Sequence, residues 1–218
     1  MLSTAPKSQH KITVIFDMDE TLMHCPLERD ASGTVDKINA SELSKANFVI
    51  RPGALEGLQL LRKDFSLGLF TSSDQFYADS ALKRLNLDVF DFKLYRQHCK
   101  EISKGLYVKD LKAAKSFCDS ERCFLVDNNM YCYSPQLHRG VPILPFYGSQ
   151  TDAEFPKLVG YLQSTLLAGD PFKFNADYFG YDIFGVGGEA AAARLVPLLL
   201  ERVLQYLQSG ALDSAGSA

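Results

Sequence analysis

Five short apolar runs, none alternating with polar residues, limit the folds open to this chain of 218 residues. Ile12–Phe16 is β-branched and aromatic, with Thr13 its only polar residue; Ser66–Phe70, Phe92–Tyr95, Cys123–Val126 and Val141–Leu144 are similar. Runs of this kind are strands buried on both faces, as in a parallel sheet. Between them the periodicity changes to helical spacing over Ala54–Lys63, Asp74–Leu85, Asp110–Cys118 and Asp152–Leu167. Strand–helix alternation predicts an α/β fold built on a doubly wound, mostly parallel sheet.

Two stretches leave that rhythm. Residues 25–49 are loop-like and charged, with Gly33 suited to a hairpin turn, and read as a small insertion after the first strand. Beyond residue 168 comes an aromatic-dense segment (Phe172, Phe174, Tyr178, Phe179, Tyr181 and Phe184), then Gly185-Val186-Gly187-Gly188, then a helical pattern over Glu189–Gln208. In that pattern Val196, Leu199, Leu200, Val203 and Leu207 share one face, and Pro197 starts or kinks the helix. The expected organisation is a flexible N-terminus (1–10), a core (11–167), a C-terminal helical appendage (168–210) and a tail (211–218). The glycine-rich joint follows no strand, so it reads as a flexible link rather than a nucleotide-binding loop. Residues 172–208 are the expected added layer, or the contact for a partner or a second copy.

Hydrophobic residues make up 46% of the chain and charged ones 22%, enough for one full core. The formal net charge of −3 and scattered lysines and arginines argue against nucleic acid or an anionic membrane as partner. Residues 1–10 lack the apolar stretch of a signal peptide, and no apolar run spans a bilayer. The five cysteines show no CxxC spacing and read as free thiols in a reducing compartment. A soluble, intracellular protein is expected, cytoplasmic or nuclear.

In an open α/β sheet, ligands bind at the carboxyl ends of the strands. Asp17-Met18-Asp19 follows the first run, Thr71-Ser72-Ser73 the second and Asp127-Asn128-Asn129 the fourth. Together they suit phosphoryl transfer, which needs a nucleophile, a divalent cation and positive charge at the phosphoryl oxygens. A carboxylate serves as nucleophile through an acyl phosphate, and magnesium takes hard oxygen ligands such as Asp17 and the Asp127-Asn128 pair. Asp19 is placed to act as general acid and then base, and Thr71 to donate to phosphate. Lys109, expected where a helix begins before the fourth strand, is the candidate for the missing cation.

Phe16-Asp17-Met18-Asp19-Glu20-Thr21-Leu22 resembles the DxDxT signature of the haloacid dehalogenase superfamily. Arg51-Pro52-Gly53, Leu69-Phe70-Thr71-Ser72-Ser73 with Tyr77-Ala78-Asp79, Tyr107-Val108-Lys109-Asp110-Leu111 and Val126-Asp127-Asn128 narrow the resemblance. Over residues 11–165 they resemble, in order, the small C-terminal-domain phosphatase branch, which removes phosphate from Ser and Thr of proteins. The resemblance implies Asp17 as nucleophile and Mg2+ ligand. It implies Asp19 as general acid/base, with its carbonyl on the metal. Thr71, Ser72 and Lys109 would hold the phosphate, Asp127 and Asn128 would complete the metal site, and Arg96 would lie near the substrate phosphate. Asp74 stands where that family commonly carries leucine, and Asn129-Met130 where it carries Ser-Pro. A phosphorylated protein or peptide is the implied substrate. A small-molecule phosphatase of the same superfamily and a non-catalytic phosphopeptide-binding scaffold are the alternative readings.

Overall fold

The computed structural model describes residues 11–26, 40–103 and 105–181. In chain order the strands are β1 (Thr13–Phe16), β2 (Met23–His24), β3 (Val49–Ile50), β4 (Ser66–Phe70), β5 (Phe92–Leu94), β6 (Lys100–Ser103), β7 (Leu106–Val108), β8 (Cys123–Asp127) and β9 (Gly140–Pro142). The helices are α1 (Ala40–Lys45), α2 (Ala54–Leu61), α3 (Gln75–Arg84), α4 (Glu154–Thr165) and α5 (Pro171–Phe179). The central sheet has five strands in the order β5-β4-β1-β8-β9, every pair parallel. All five apolar runs therefore entered one sheet. The last is shifted, because β9 ends at Pro142, which cannot donate to a further ladder and sits on an edge strand.

Successive residues feed opposite faces. Val14 and Phe16, with Leu67, Leu69, Phe124 and Val126, pack against α2, α3 and α4. Ile15, Phe70, Leu94 and Leu125 face the other way, onto Leu111, Tyr133, Leu137 and residues of α5 and its end. Burying each such large apolar side chain contributes about 1.5–3 kcal/mol, which is why polar alternation is missing from these strands.

The helices carry their own stop signals. Asp74 caps α3 by accepting from the Tyr77 N–H at 3.0 Å, and Lys83 and Arg84 complement the dipole at its far end. The Asn86 N–H then returns to the Lys83 carbonyl and the Leu87 N–H to the Leu82 carbonyl, with Asn86 at φ 57°. That is a Schellman closure with asparagine in the left-handed position.

Three expectations change. The stretch Asp110–Cys118 forms a 3₁₀ turn over Leu111–Ala114 rather than an α-helix: the Ala113 and Lys115 N–H groups bond back three residues, to the Asp110 and Lys112 carbonyls. Lys109 accordingly follows strand β7 of a small β6–β7 hairpin and does not open a helix. The aromatic segment contains helix α5, with Asp170 accepting from Phe172 and Lys173, Pro171 in the first turn and Gly180 in the left-handed closing position. Asn175 locks α5 down: fully buried, it donates to the carbonyls of His138 and Gly140 and accepts from Tyr161 Oη. Residues 27–39, the glycine-rich joint and Glu189–Gln208 lie outside the described residues. No helix among the described residues is long and apolar enough to cross a membrane.

Gly140 shows how tightly this second face is closed. A Cβ there would stand 2.0 Å from the Tyr133 ring. Gly140→Ala should cost about 1–3 kcal/mol through overpacking. The measurement is urea unfolding, with a lower midpoint at unchanged slope.

Candidate active site

Parallel register sets the central problem of the site. Phe16 pairs with Val126, so one step further Asp17 and Asp127 stand side by side at the strand ends, and the Asp17 N–H donates to the Val126 carbonyl. Adjacent strands lie about 4.8 Å apart, so two carboxylates meet there with little water around them. Asp17 is 5% exposed and Asp127 1%. Lys109 resolves the repulsion: its Nζ donates to Asp17 Oδ1 at 2.5 Å and to Asp127 Oδ2 at 2.7 Å.

Backbone and side-chain bonds fix that lysine. The Lys109 N–H donates to the Cys132 carbonyl at 2.7 Å, and its own carbonyl accepts from Gln136 Nε2 at 2.8 Å. Burial alone would lower the ammonium's pKa, but Asp127 and Asp17 reverse this and hold it well above the ordinary lysine value. Burial pushes Asp127 up to about 6; Lys109 opposes that and the Asp17 charge adds to it. Two carboxylates facing one ammonium leave a net negative pocket, with hard oxygen donors only.

Asp19 takes a different course. Ser73 Oγ donates to its Oδ2 at 2.8 Å and Tyr77 Oη to its Oδ1 at 2.8 Å. Thr71 is buried beside them, and its Oγ1 accepts from the Ser73 N–H at 3.0 Å. The helix cap is Asp74, so Thr71 is spared that duty. Asn128 Oδ1 accepts from Thr21 Oγ1 at 3.2 Å and retains a second lone pair.

The structure thus brings Asp17, Lys109 and Asp127 into one cluster, with Asp19 and Thr71 joined through Ser73. Asn128 is one residue on from Asp127. Ser72, expected at the phosphate, accepts from Arg96 Nε through its backbone carbonyl at 2.6 Å, and the Ser73 hydroxyl enters the site on Asp19. Arg96 also lies over the Tyr107 ring, 5.6 Å from its centroid, which sets it between the Thr71 loop and the Lys109 hairpin. The sequence reading missed Ser73 and Tyr77 as site residues; the third position of Thr-Ser-Ser and the first turn of the next helix were the available signals. Among the described residues, no cluster of three or more His, Cys, Asp or Glu side chains is preassembled for a metal. Any cation here would rely on two carboxylates, an amide and backbone oxygen.

A second buried cation organises the loop around Asp19. Arg51 is fully buried, and its guanidinium donates to both Asp152 oxygens (2.8 and 2.9 Å), to the Thr21 carbonyl (3.1 Å) and to the Leu144 carbonyl (2.8 Å). It lies over the Phe146 ring at 5.5 Å, and the Phe146 N–H donates to the Glu20 carbonyl. The 20–21 turn is thereby fixed from behind.

The chain is similar to known proteins over most of its length. The profile of the NLI interacting factor-like phosphatase family matches residues 12–171. "CTD small phosphatase-like protein 3" of Caenorhabditis elegans is 29% identical over 167 residues, covering 75% of this chain and 57% of that protein. Human "Carboxy-terminal domain RNA polymerase II polypeptide A small phosphatase 1" is 27% identical over 166 residues, covering 75% of this chain and 62% of that protein. This chain thus matches less than two thirds of the length of either relative. The solved structure described as "a predicted phosphatase from Clostridium acetobutylicum" superposes with a TM-score of 0.51 at 14% identity, over 71% of this chain and 99% of that one, which is a likeness of fold.

The Arg51–Asp152 pair yields a stability test. Burial alone would raise the Asp152 pKa, but the Arg51 guanidinium and the Glu154 N–H hold it below the ordinary carboxylate value. A depressed folded pKa gives stability that is present above the unfolded value of about 3.9 and lost as pH falls through the folded one. Asp152→Asn should therefore cost about 2–3 kcal/mol at neutral pH, by leaving Arg51 without its counter-charge. Urea midpoints of the two proteins should converge below roughly pH 4.

Proposed function

The chain belongs to the NLI interacting factor-like phosphatase family, and from that membership we propose that it is a Mg2+-dependent phosphatase that hydrolyses phosphoserine or phosphothreonine in proteins or peptides through an aspartyl-phosphate on Asp17. The observation that carries this reading is the buried Asp17–Lys109–Asp127 cluster, with Asp19 held two residues away on separate partners. An ion pair kept only for stability needs one carboxylate; here two are buried against one ammonium.

In the first step Asp17 attacks phosphorus, the Asp17 O–P bond forms and the ester P–O bond breaks. Asp19 gives its proton to the leaving oxygen. In the second step Asp19 takes a proton from water, the resulting hydroxide attacks phosphorus, and the bond to Asp17 breaks to release phosphate. Lys109 and the Thr71 hydroxyl hold the phosphoryl oxygens in line. The oxygen donors fit magnesium, which Asp17, Asp127, Asn128 and the Asp19 carbonyl would hold. Bound there, the ion supplies charge neutralisation at the phosphoryl oxygens.

Two features support a phosphoprotein substrate. The human relative's name refers to the carboxy-terminal domain of RNA polymerase II, itself a polypeptide. In addition, Arg96 stands on the Thr71 side of the site, where it supplies a charged contact for a substrate phosphate or backbone. Asp74 is committed to capping α3, so the apolar grip that leucine provides in the family is absent at that position.

Asp17→Asn should lower turnover of an aryl phosphate by roughly 10³-fold or more while leaving the fold intact. Full activity in that variant would overturn the mechanism. A phosphopeptide array run beside sugar phosphates tests the substrate class, and a clear preference for the sugars would refute the phosphoprotein reading. For the metal, saturating Mg2+ should raise the melting temperature of the wild type by several degrees, since a ligand at 100 times its Kd adds about 2.7 kcal/mol. Asp127→Asn should lose most of that shift.

A further inference from the structure

Asp19 is held by two hydroxyl groups that are themselves immobilised. Tyr77 is buried, its N–H is fixed on Asp74 Oδ1, and its ring stands edge-on to Phe48 at 5.7 Å. The Ser73 N–H is fixed on Thr71 Oγ1, and the Ser73 carbonyl accepts from the Arg96 N–H at 3.0 Å. Both donors thus belong to the segment that carries Thr71, not to the Asp17–Asp19 loop. The two 2.8 Å bonds, one to each carboxylate oxygen, set the plane of the Asp19 carboxyl relative to the residue that would hold the phosphate.

We propose that Tyr77 and Ser73 are positioning residues that aim the Asp19 carboxyl at the leaving oxygen of the substrate. The proposal rests on the reading of Asp19 as the group that protonates that oxygen. In that step the proton passes from an Asp19 oxygen to the ester oxygen as the ester P–O bond breaks and the Asp17 O–P bond forms. When Asp19 carries the proton, one of its oxygens ceases to be a plain acceptor, and the remaining hydroxyl bond keeps the carboxyl in plane. A misaimed acid loses proton transfer without losing phosphate binding.

The consequence depends on the leaving group. A serine alkoxide departs only with a proton, whereas 4-nitrophenolate departs without help. General acid catalysis contributes about 10²–10⁴-fold where it is needed. The parameter to measure is kcat/KM, which covers only the steps up to release of the leaving group, so Asp19's later work as base for water does not enter. In Tyr77→Phe and in Ser73→Ala, kcat/KM for a phosphoserine peptide should fall at least tenfold. For 4-nitrophenyl phosphate it should stay within about threefold. The double variant should fall by less than the product of the single losses, because both act through one carboxyl.

Asp19→Asn serves as the reference and should show the same selectivity with a larger loss. A residue that only supports the fold lowers both substrates alike, so equal losses in the Tyr77 and Ser73 variants, with Asp19→Asn still selective, would overturn the positioning role and leave the mechanism standing. Equal losses on both substrates in Asp19→Asn itself would overturn the leaving-group role of Asp19 and the proposal with it. No loss on either substrate in the double variant would also refute it. Melting curves accompany each variant; if Tyr77→Phe does not fold, Ser73→Ala decides alone.

Discussion

The Lys109 ammonium between Asp17 and Asp127 is the interaction on which the rest of the site depends. Parallel register brings two carboxylates to the same level on neighbouring strands, and in a buried pocket their repulsion is far larger than in water. Removing one partner from a buried ionic cluster costs about 3–5 kcal/mol, so the strand ends tolerate this pair only while the cation is in place. That requirement reaches well beyond the site. It accounts for a β6–β7 hairpin that delivers one residue, a Cys132 carbonyl that accepts from its N–H, and a buried Gln136 whose Nε2 donates to its carbonyl. The kinked 3₁₀ turns over Met130–Arg139, with Pro135 inside and non-helical backbone at Tyr133 and Gln136, supply both of the last two.

Arg51 plays the corresponding part for the backbone. The turn after β1 carries carbonyls that no ladder satisfies, and a buried unpaired carbonyl costs about 1–3 kcal/mol. A guanidinium offers five donors in a plane, so a single side chain satisfies Thr21, Leu144 and Asp152 together. The two buried cations divide the work by chemistry: the point charge sits between carboxylates and the planar fork holds loops.

The sheet was legible in the sequence because strands buried on both faces must be apolar throughout, and each of the five runs has a strand at or within two residues of its bounds. The small hairpin was not, since β6 is exposed along its whole length and carries no burial pattern. Asp110–Cys118 misled because helical spacing of apolar residues does not distinguish an α-helix from repeated three-residue turns that bury Leu111 and Ala114. Helix α5 was hidden by its aromatic content, although an Asp-Pro start and a glycine stop were present. Asp17, Asp127 and Thr71 followed from the rule that strand ends gather ligands. Tyr77 and Ser73 did not, because the role of a hydroxyl depends on which carboxylate it meets, and that partner lies more than fifty residues away.

Two aspartates separated by one residue would share a face if β1 continued, and both would then join the Lys109 cluster. The chain prevents this by leaving the strand at Asp17. The Met18 carbonyl receives the N–H groups of Thr21, Leu22 and Met23, and Glu20 adopts a left-handed φ of 56°, a conformation that costs a non-glycine residue roughly 1 kcal/mol. Phe146, through its bond to the Glu20 carbonyl, and Arg51, through Thr21, hold the turn in that conformation. Beyond the strand end, Asp19 accepts from the hydroxyls of Ser73 and Tyr77, and Asp17 is left facing the Lys109 ammonium. The chain's departure from β1 after Asp17 is thus where two chemically identical side chains part into two environments.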